Sequence, residues 1–289
     1  MNNSLLNNEI NTDILEYDDM PSWMNSNSYI LTGYRPIEKS KCYYCKSFFK
    51  WHNETINIWT HLLGMGLFSV LLWYINIDIN LNLYATQAIL MNVYVISCIL
   101  TYGFSTIMHG FYPLSKTTCT NLQTLDYLGI GLQIFTTMQV FIYYSFYCQP
   151  TLSLLYMNIT GALNLVSLII LTNKKFTSNE YKKVKVMCFV LQVCVFMIPL
   201  VHRLILYNDD SYDRVIKGEM GYFLAAFLCF VLCIIFYLGL IPERFYNRKF
   251  DIIGSSHQIF HILSVSGSVL MFLGLKLIMD GDSLLSCSS

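Results

Sequence analysis

The stretch GYFLAAFLCFVLCIIFYLGL, Gly221–Leu240, carries no charged side chain over its whole length. A helix needs about 20 largely apolar residues to cross a bilayer. Inside lipid the backbone must satisfy its own polar groups, so a run of this length is predicted to be helical. Six further runs have similar length and composition, so we predict an all-α integral membrane protein with seven transmembrane helices: roughly Ile56–Ile77, Thr86–His109, Leu125–Cys148, Leu152–Leu171, Val184–Tyr207, Gly221–Leu240 and His257–Ile278.

The composition of the 289 residues agrees with this class. Hydrophobic residues make up 55% of the chain, charged residues make up 12%, and the mean hydropathy is +0.48. Soluble domains usually contain about 25% charged residues, which argues against a soluble enzyme. The formal net charge is 0, so nucleic acid is not an expected partner. The 10 cysteines are scattered, several of them inside apolar runs, and do not suggest a disulfide framework.

The chain divides into three regions. Residues 1–55 precede the first span: residues 1–28 are rich in Asn, Ser and Asp and are predicted to be disordered, whereas residues 29–55 are aromatic and basic. The latter segment fits either an amphipathic stretch on the membrane surface or an ordinary juxtamembrane linker. Residues 56–279 form the seven-transmembrane domain, and residues 280–289 form a short tail. The N-terminus lacks the pattern of a secretory signal peptide.

Loop charges predict the orientation of the chain. Fourteen Lys and Arg residues flank the helices on the side of the N-terminus, and four lie on the other side. The positive-inside rule therefore places the N-terminus in the cytosol and the C-terminus outside it. We expect a multi-pass protein of the plasma membrane or an endomembrane.

Three histidines are predicted to lie at one depth near the cytosolic face. His109 ends the second span, and His257 and His261 begin the seventh. His257 and His261 are four residues apart, so both imidazoles point to the same side of a helix. A lone H-x-x-x-H pattern is a weak indication of metal binding, because histidines in membrane helices also hydrogen-bond to neighbours. Asp126, at the start of the third predicted span, lies at the same depth and strengthens the case.

Three histidine ligands with an open fourth position are typical of a catalytic zinc ion. Asp126 is a candidate to hold or deprotonate a water molecule there. Ser105, one turn before His109, is a candidate to orient a ligand or to hydrogen-bond a developing oxyanion. The alternative for Asp126 is a helix N-terminal charge that the helix dipole favours.

Other histidines and cysteines are weaker candidates. His61 fits either a fourth metal ligand or a structural hydrogen bond. His202 lies near the outer end of the fifth span, which is the wrong depth for this site. Cys42-x-x-Cys45 fits free thiols in a reducing compartment, with a structural zinc site as the alternative.

These motifs resemble the progestin and adipoQ receptor family, which includes the adiponectin receptors and the fungal Izh-type zinc-homeostasis proteins. The similarity runs from about Tyr29 to the end of the seventh helix. It is carried by six ordered stretches: YILTGYRP (Tyr29–Pro36), HNETINIWTHLLG (His52–Gly64), Ser105-x-x-x-His109, LDYLGI (Leu125–Ile130), YYSFYC (Tyr143–Cys148) and IPERFYNRKFDIIGSSHQIFH (Ile241–His261). The tail before Tyr29 departs from the animal receptors.

The resemblance implies seven helices, a cytosolic N-terminus and zinc held by His109, His257 and His261, with Asp126 holding water and Ser105 beside it. It also implies ceramidase-like hydrolysis of a long-chain amide to a free fatty acid and a sphingoid base, with roles in lipid signalling and zinc homeostasis. The alternative is a signalling receptor whose zinc is purely structural. Membrane lipids are the expected partners, and the sequence assigns no extracellular protein ligand.

Overall fold

The computed structural model describes residues 14–24, 27–78, 85–173, 176, 181–206 and 213–282. Within these residues, seven helices are long and apolar enough to cross a membrane, which confirms the predicted seven-helix class. A short helix, α1 (Lys41–Ser47), precedes them. The long helices are α2 (Thr55–Asp78), α3 (Ala85–Phe111), α4 (Lys116–Ser145), α5 (Pro150–Thr172), α6 (Lys182–Leu206), α7 (Asp213–Gly239) and α8 (Ser256–Asp282).

Two helices begin well before the apolar runs that predict them. The start of α4 is Lys116 rather than Leu125, because Ser115 caps the helix by accepting a hydrogen bond from the Thr118 backbone N–H. Asp126 therefore lies in the third turn of α4, and its interpretation as a helix N-terminal charge is wrong. Helix α7 begins at Asp213 rather than Gly221. Glu219, which borders the apolar run in the sequence, is consequently inside a helix.

Small residues allow the helices to pack closely. A Cβ atom on Gly267 would lie 2.8 Å from the Phe230 ring, and one on Gly274 would lie 2.6 Å from the Phe223 ring. These two glycines therefore let α8 approach α7 at ring-contact distance. Gly129 of α4 similarly lies against the Thr101 backbone of α3. Such small-residue contacts are the usual way in which membrane helices associate.

The N-terminal segment packs over one end of the bundle, which we call the proximal end; the opposite end is the distal end. Leu15 pairs with Tyr34 in an isolated antiparallel bridge. Met20, Met24 and Ile30 are buried in a cluster with side chains of α3 and α4. The sequence predicts disorder for residues 1–28. Residues 14–24 nevertheless make these contacts, because their apolar side chains pack against α3 and α4. Residues 1–13, 25 and 26 lie outside the described residues.

The segment before α2 also folds against the proximal end. Ser40 caps α1, and the buried Tyr44 hydroxyl donates a hydrogen bond to the Pro36 carbonyl. Phe49 and Trp51 remain exposed, as expected of side chains that enter a membrane interface. One face of the segment therefore packs on the bundle while these two aromatic rings point outward. Most of the tail, residues 283–289, lies outside the described residues.

The distal end is held together by polar contacts and by a disulfide. Arg203 of α6 and Glu219 of α7 form a buried ion pair with an N–O distance of 2.8 Å. The Tyr156 hydroxyl and His202 Nδ1 are 2.8 Å apart, so His202 lies far from the other histidines, as predicted. Cys148 is disulfide-bonded, which the scattered cysteine pattern does not predict. Cys42 and Cys45 are exposed and form no disulfide.

Candidate metal centre and its cavity

The three predicted histidines meet at the proximal end. His109 lies in the last turn of α3, and His257 and His261 lie in the first turns of α8. One ring nitrogen from each lies within 4.8 Å of the others, and the two Nε2 atoms of His109 and His257 are 3.3 Å apart. Three imidazole nitrogens at this spacing can bind one metal ion. The convergence expected from the sequence is therefore present in the fold.

Two buried side chains hold these helix ends in place. Arg35 donates hydrogen bonds to the carbonyls of His109 and Gly110, at 2.5 Å and 2.9 Å. It thereby satisfies the free carbonyls at the end of α3 and complements the helix dipole. At the start of α8, Glu243 accepts a hydrogen bond from the Ser256 backbone N–H at 2.8 Å. Both contacts come from motifs noted in the sequence, YRP and IPERF, whose role is thus to fix the ligand-bearing helix ends.

Glu54 is a site residue that the sequence analysis misses. Its Oε2 atom lies 2.7 Å from His109 Nδ1 and accepts a hydrogen bond from Asn57 Nδ2 at 2.6 Å. The Tyr112 hydroxyl donates to its other oxygen at 3.2 Å. A carboxylate in this position keeps the proton on Nδ1 and leaves Nε2 of His109 to face a metal. Two features of the sequence could have indicated it: a lone carboxylate directly before the first span, and its place in the stretch HNETINIWTHLLG.

The charge state of Glu54 agrees with this role. Burial would raise the pKa of Glu54, but its interactions with His109 and Asn57 outweigh burial and hold the pKa below its ordinary value. His52 helps to position Glu54, because its Nδ1 accepts a hydrogen bond from the Glu54 backbone N–H at 3.1 Å. Burial and the nearby Arg35 lower the pKa of His52 to about 3, so its imidazole stays neutral. His52 is thus a structural acceptor that positions Glu54.

His261 is oriented by a second contact of the same kind. Its Nδ1 lies 3.1 Å from the Asn57 carbonyl, which favours a proton on Nδ1 and a free Nε2. His61 stacks on His261 with ring centroids 3.6 Å apart, and its Nε2 lies 3.2 Å from Ser264 Oγ. His61 is not a member of the three-histidine group. The geometry therefore favours the hydrogen-bonding alternative for His61 over the fourth-ligand alternative.

Asp126 and Ser105 lie beside the three histidines. Asp126 interacts with the Ser105 hydroxyl and with His109. Ser105 is buried one turn before His109, and both residues line the same cavity as the histidines. The structure therefore brings together all five residues singled out from the sequence: Ser105, His109, Asp126, His257 and His261.

The cavity has a volume of about 360 Å³, within the range of small-molecule sites. It extends from the histidines between α4, α6, α7 and α8 towards the middle of the bundle, where its walls are mainly apolar. Lys185 also lines the cavity and is buried, with its ammonium group 4.8 Å from the centre of the Tyr127 ring. One end of the cavity is therefore polar and the remainder is suited to a hydrocarbon chain.

The donor set fits a zinc ion. Neutral imidazoles are preferred ligands of zinc, and a carboxylate on the outer nitrogen of a ligating histidine is a common feature of zinc sites. Two of the three imidazoles have Nδ1 contacts that leave Nε2 free, and all three histidines line the cavity together with Asp126. Among the described residues the group has three members, so it is typical of an open site rather than one closed by four protein ligands.

Comparisons with known proteins identify the family to which this chain is similar. The profile of the haemolysin-III-related family matches residues 49–272. The adiponectin receptor protein of Drosophila melanogaster is 29% identical over 91% of this chain and 59% of its own length. Progestin and adipoQ receptor family member 3 of Homo sapiens is 28% identical over 86% of this chain and 80% of its own. The ADIPOR-like receptor IZH2 of Saccharomyces cerevisiae is 29% identical, with coverage of 91% and 83%. The chain spans about three fifths of the length of the Drosophila protein and of two further curated relatives that it matches.

Proposed function

The chain belongs to the haemolysin-III-related family, alongside the adiponectin receptors and the progestin and adipoQ receptors, and on that premise we propose that it is a zinc-dependent lipid amide hydrolase. Its substrate is a ceramide-like amide, and its products are a free fatty acid and a sphingoid base. One observation carries the proposal. Three converging histidines and a carboxylate stand at the polar end of a long apolar cavity.

His109, His257 and His261 would hold the zinc ion. When bound, zinc would act as a Lewis acid that polarises a carbonyl group and lowers the pKa of a water molecule. Glu54 keeps His109 in the required tautomer, and the Asn57 carbonyl does the same for His261. The metal would therefore tie α3 to α8 at a point already fixed by hydrogen bonds.

Asp126 is the proton carrier in this proposal. Its carboxylate accepts a proton from the water that attacks the amide carbonyl, and the water oxygen forms a bond to the carbonyl carbon. As the carbon–nitrogen bond breaks, Asp126 returns the proton to the departing amine nitrogen, so protons balance over the cycle. The Ser105 hydroxyl lies against Asp126 and donates a hydrogen bond that orients it. Lys185 and Tyr127 lie where the polar head of the lipid would sit.

A lipid substrate can reach the cavity from within the membrane. Helices α6 and α7 both line the cavity. Near their distal ends they are joined by the buried Arg203–Glu219 ion pair. Between that pair and Lys185 of α6, the two helices present mainly apolar side chains to the cavity. An acyl chain entering there would exchange one apolar environment for another.

We propose that the proximal end faces the cytosol. The bias of fourteen to four basic residues supports this orientation. The disulfide at Cys148 supports it independently, because Cys148 follows the distal end of α4 and disulfides persist in oxidising compartments. The exposed free thiols of Cys42 and Cys45 lie at the proximal end, as a reducing compartment would require. The protein would then lie in the plasma membrane or an endomembrane.

The alternative is a signalling receptor in which the metal is purely structural. It is favoured by the position of the three histidines, because a metal there would crosslink the ends of two helices whether or not turnover occurs. The two functions differ in one measurement. Purified protein incubated with a ceramide should release free fatty acid and sphingoid base, and a chelator should stop the release. A structural metal predicts no release in either condition.

A further inference from the structure

The end of the cavity farthest from the histidines is lined by bulky side chains. Four helices each contribute one residue at the greatest distance from the histidines: Met138, Phe196, Phe223 and Met271. Behind them, Phe141 is fully buried and contacts both phenylalanines edge to face, with ring centroids 4.9 Å from Phe196 and 5.1 Å from Phe223. Such aromatic pairs add stability beyond the area that they bury. The end of the cavity is therefore a packed aromatic wall.

Phe223 is the most firmly held member of this wall. Its exposure is 1%, and its ring lies against α8 at Gly274. A Cβ atom on Gly274 would come within 2.6 Å, 2.9 Å and 3.0 Å of three atoms of the ring. A glycine at this position is therefore required for the ring to occupy its place. The ring has contacts on two sides, with Gly274 and Phe141, while it faces the cavity.

The distance from the histidines to this wall matches a long acyl chain. Helix α8 rises ~21 Å between His257 and Met271, and α7 rises a similar distance between Tyr237 and Phe223. The hydrocarbon core of a bilayer is ~30 Å thick, so a single leaflet gives one acyl chain about 15 Å of depth. The cavity therefore has room for an extended acyl chain as long as those of ordinary membrane lipids.

We propose that Phe223 sets the upper limit on the acyl chain length that the cavity accepts. The inference rests on the proposed function, because the chain concerned is that of the proposed amide substrate. With the amide at the histidines, the terminal methyl group of a palmitoyl or stearoyl chain reaches Phe223. A much longer chain, such as lignoceroyl, meets the ring before its amide reaches Asp126.

The limit on acyl chain length can be tested without turnover. Palmitate, stearate and lignocerate are made to compete for binding to the full-length protein in lipid nanodiscs. Wild-type protein should prefer the two shorter acids. Phe223→Ala should shift the preference towards lignocerate by about tenfold or more, because each buried methylene is worth about fourfold in affinity. Leu224→Ala is the matched control, since Leu224 neighbours Phe223 but is 50% exposed on the outside of the bundle. It should leave the preference unchanged.

A second variant should shift the preferred acyl chain length in the opposite direction. Val193 lines the cavity about one turn closer to the histidines than Phe196. Val193→Phe should shorten the accepted chain and shift the preference away from stearate. Loss of packing cannot explain opposite shifts in two folded variants. The same series should be run with the corresponding N-acyl sphingosines to measure hydrolysis.

The outcomes separate this inference from the proposed function. Unchanged selectivity in folded Phe223→Ala and Val193→Phe proteins overturns the inference, even if hydrolysis proceeds. Opposite shifts in fatty acid binding without hydrolysis support the inference and refute the proposed catalysis. Failure of the wild-type protein to bind any of the three acids overturns both.

Discussion

His109 Nδ1 lies 2.7 Å from Oε2 of Glu54, although 55 residues separate them in the sequence. Glu54 stands directly before α2 and His109 in the last turn of α3, so the contact joins two neighbouring helices at the proximal end. It also fixes which nitrogen of His109 faces the cavity. The candidate metal centre therefore extends beyond the three ligands to a carboxylate that orients one of them.

Removing this carboxylate should weaken metal binding. Glu54→Ala is expected to reduce zinc affinity by up to about 100-fold and Glu54→Gln by about 10-fold, the range observed for outer-shell partners. The amide of Gln can still accept the Nδ1 proton, but it lacks the charge. Zinc affinity is measured by competition with a chromogenic chelator. Glu16→Gln is the control, because Glu16 is largely exposed. Wild-type affinity in Glu54→Ala would exclude the assigned role.

The ligand assignment makes a separate prediction. Purified protein should contain close to one zinc ion per chain, and His257→Ala and His261→Ala should each lose most of it, because two imidazoles bind more weakly than three. His202→Ala should retain full occupancy, since His202 lies at the distal end with Tyr156. Metal content by mass spectrometry is the measurement. Full occupancy in the His257→Ala/His261→Ala double variant would refute the site.

The Arg203–Glu219 pair should matter for stability. Arg203→Met leaves the fully buried Glu219 without its partner, and loss of one member of a buried ion pair costs about 3–5 kcal/mol. Replacing both residues with Met should recover most of that loss. Asp280→Asn breaks an exposed pair with Lys276 and should cost less than about 1 kcal/mol. Thermal unfolding in detergent compares the variants. Equal stability of Arg203→Met and Asp280→Asn would contradict the packing described here.

Orientation is testable with tags. A tag after Ser289 should be accessible from outside the cytosol, and a tag before Asn2 should be protected there, because the loop charges place the proximal end inside. Protease protection or antibody access in intact cells gives the answer. Both termini on one side would be incompatible with seven spans. It would also contradict the placement of α3 and α8 with their histidines at one end.

Hydrophobicity predicts the number of helices but not all of their ends. The seven apolar runs are long enough to be predicted as transmembrane helices. The first nine residues of α4, by contrast, are mostly polar, and they form a helix because Ser115 caps them. The alternative interpretation of Asp126 as a helix-terminal charge is wrong for this reason. Likewise, burial of Met20 and Met24 depends on a surface that only the folded bundle provides.

The candidate site is only partly visible in the sequence. Sequence analysis identifies His257 and His261 as candidate metal ligands from their spacing and expected depth. This is possible because helical periodicity is a local property of the sequence. Glu54 and Lys185 belong to the site through contacts with residues that are far from them in the sequence, which no local pattern specifies. The stacking of His61 on His261 is also a tertiary contact, and it decides between two interpretations that the sequence leaves open.

Hydrolysis by the wild-type protein and by Asp126→Asn, measured in parallel, tests the central claim most directly. The substitution keeps the shape of the side chain and removes its capacity to carry a proton. With zinc content matched in the two proteins, release of fatty acid from an N-palmitoyl sphingosine should fall by about 10²-fold or more, the scale of general acid–base catalysis. Chelation should abolish the wild-type activity, and added zinc should restore it. Equal release by both proteins, or release that is insensitive to chelation, would contradict the account.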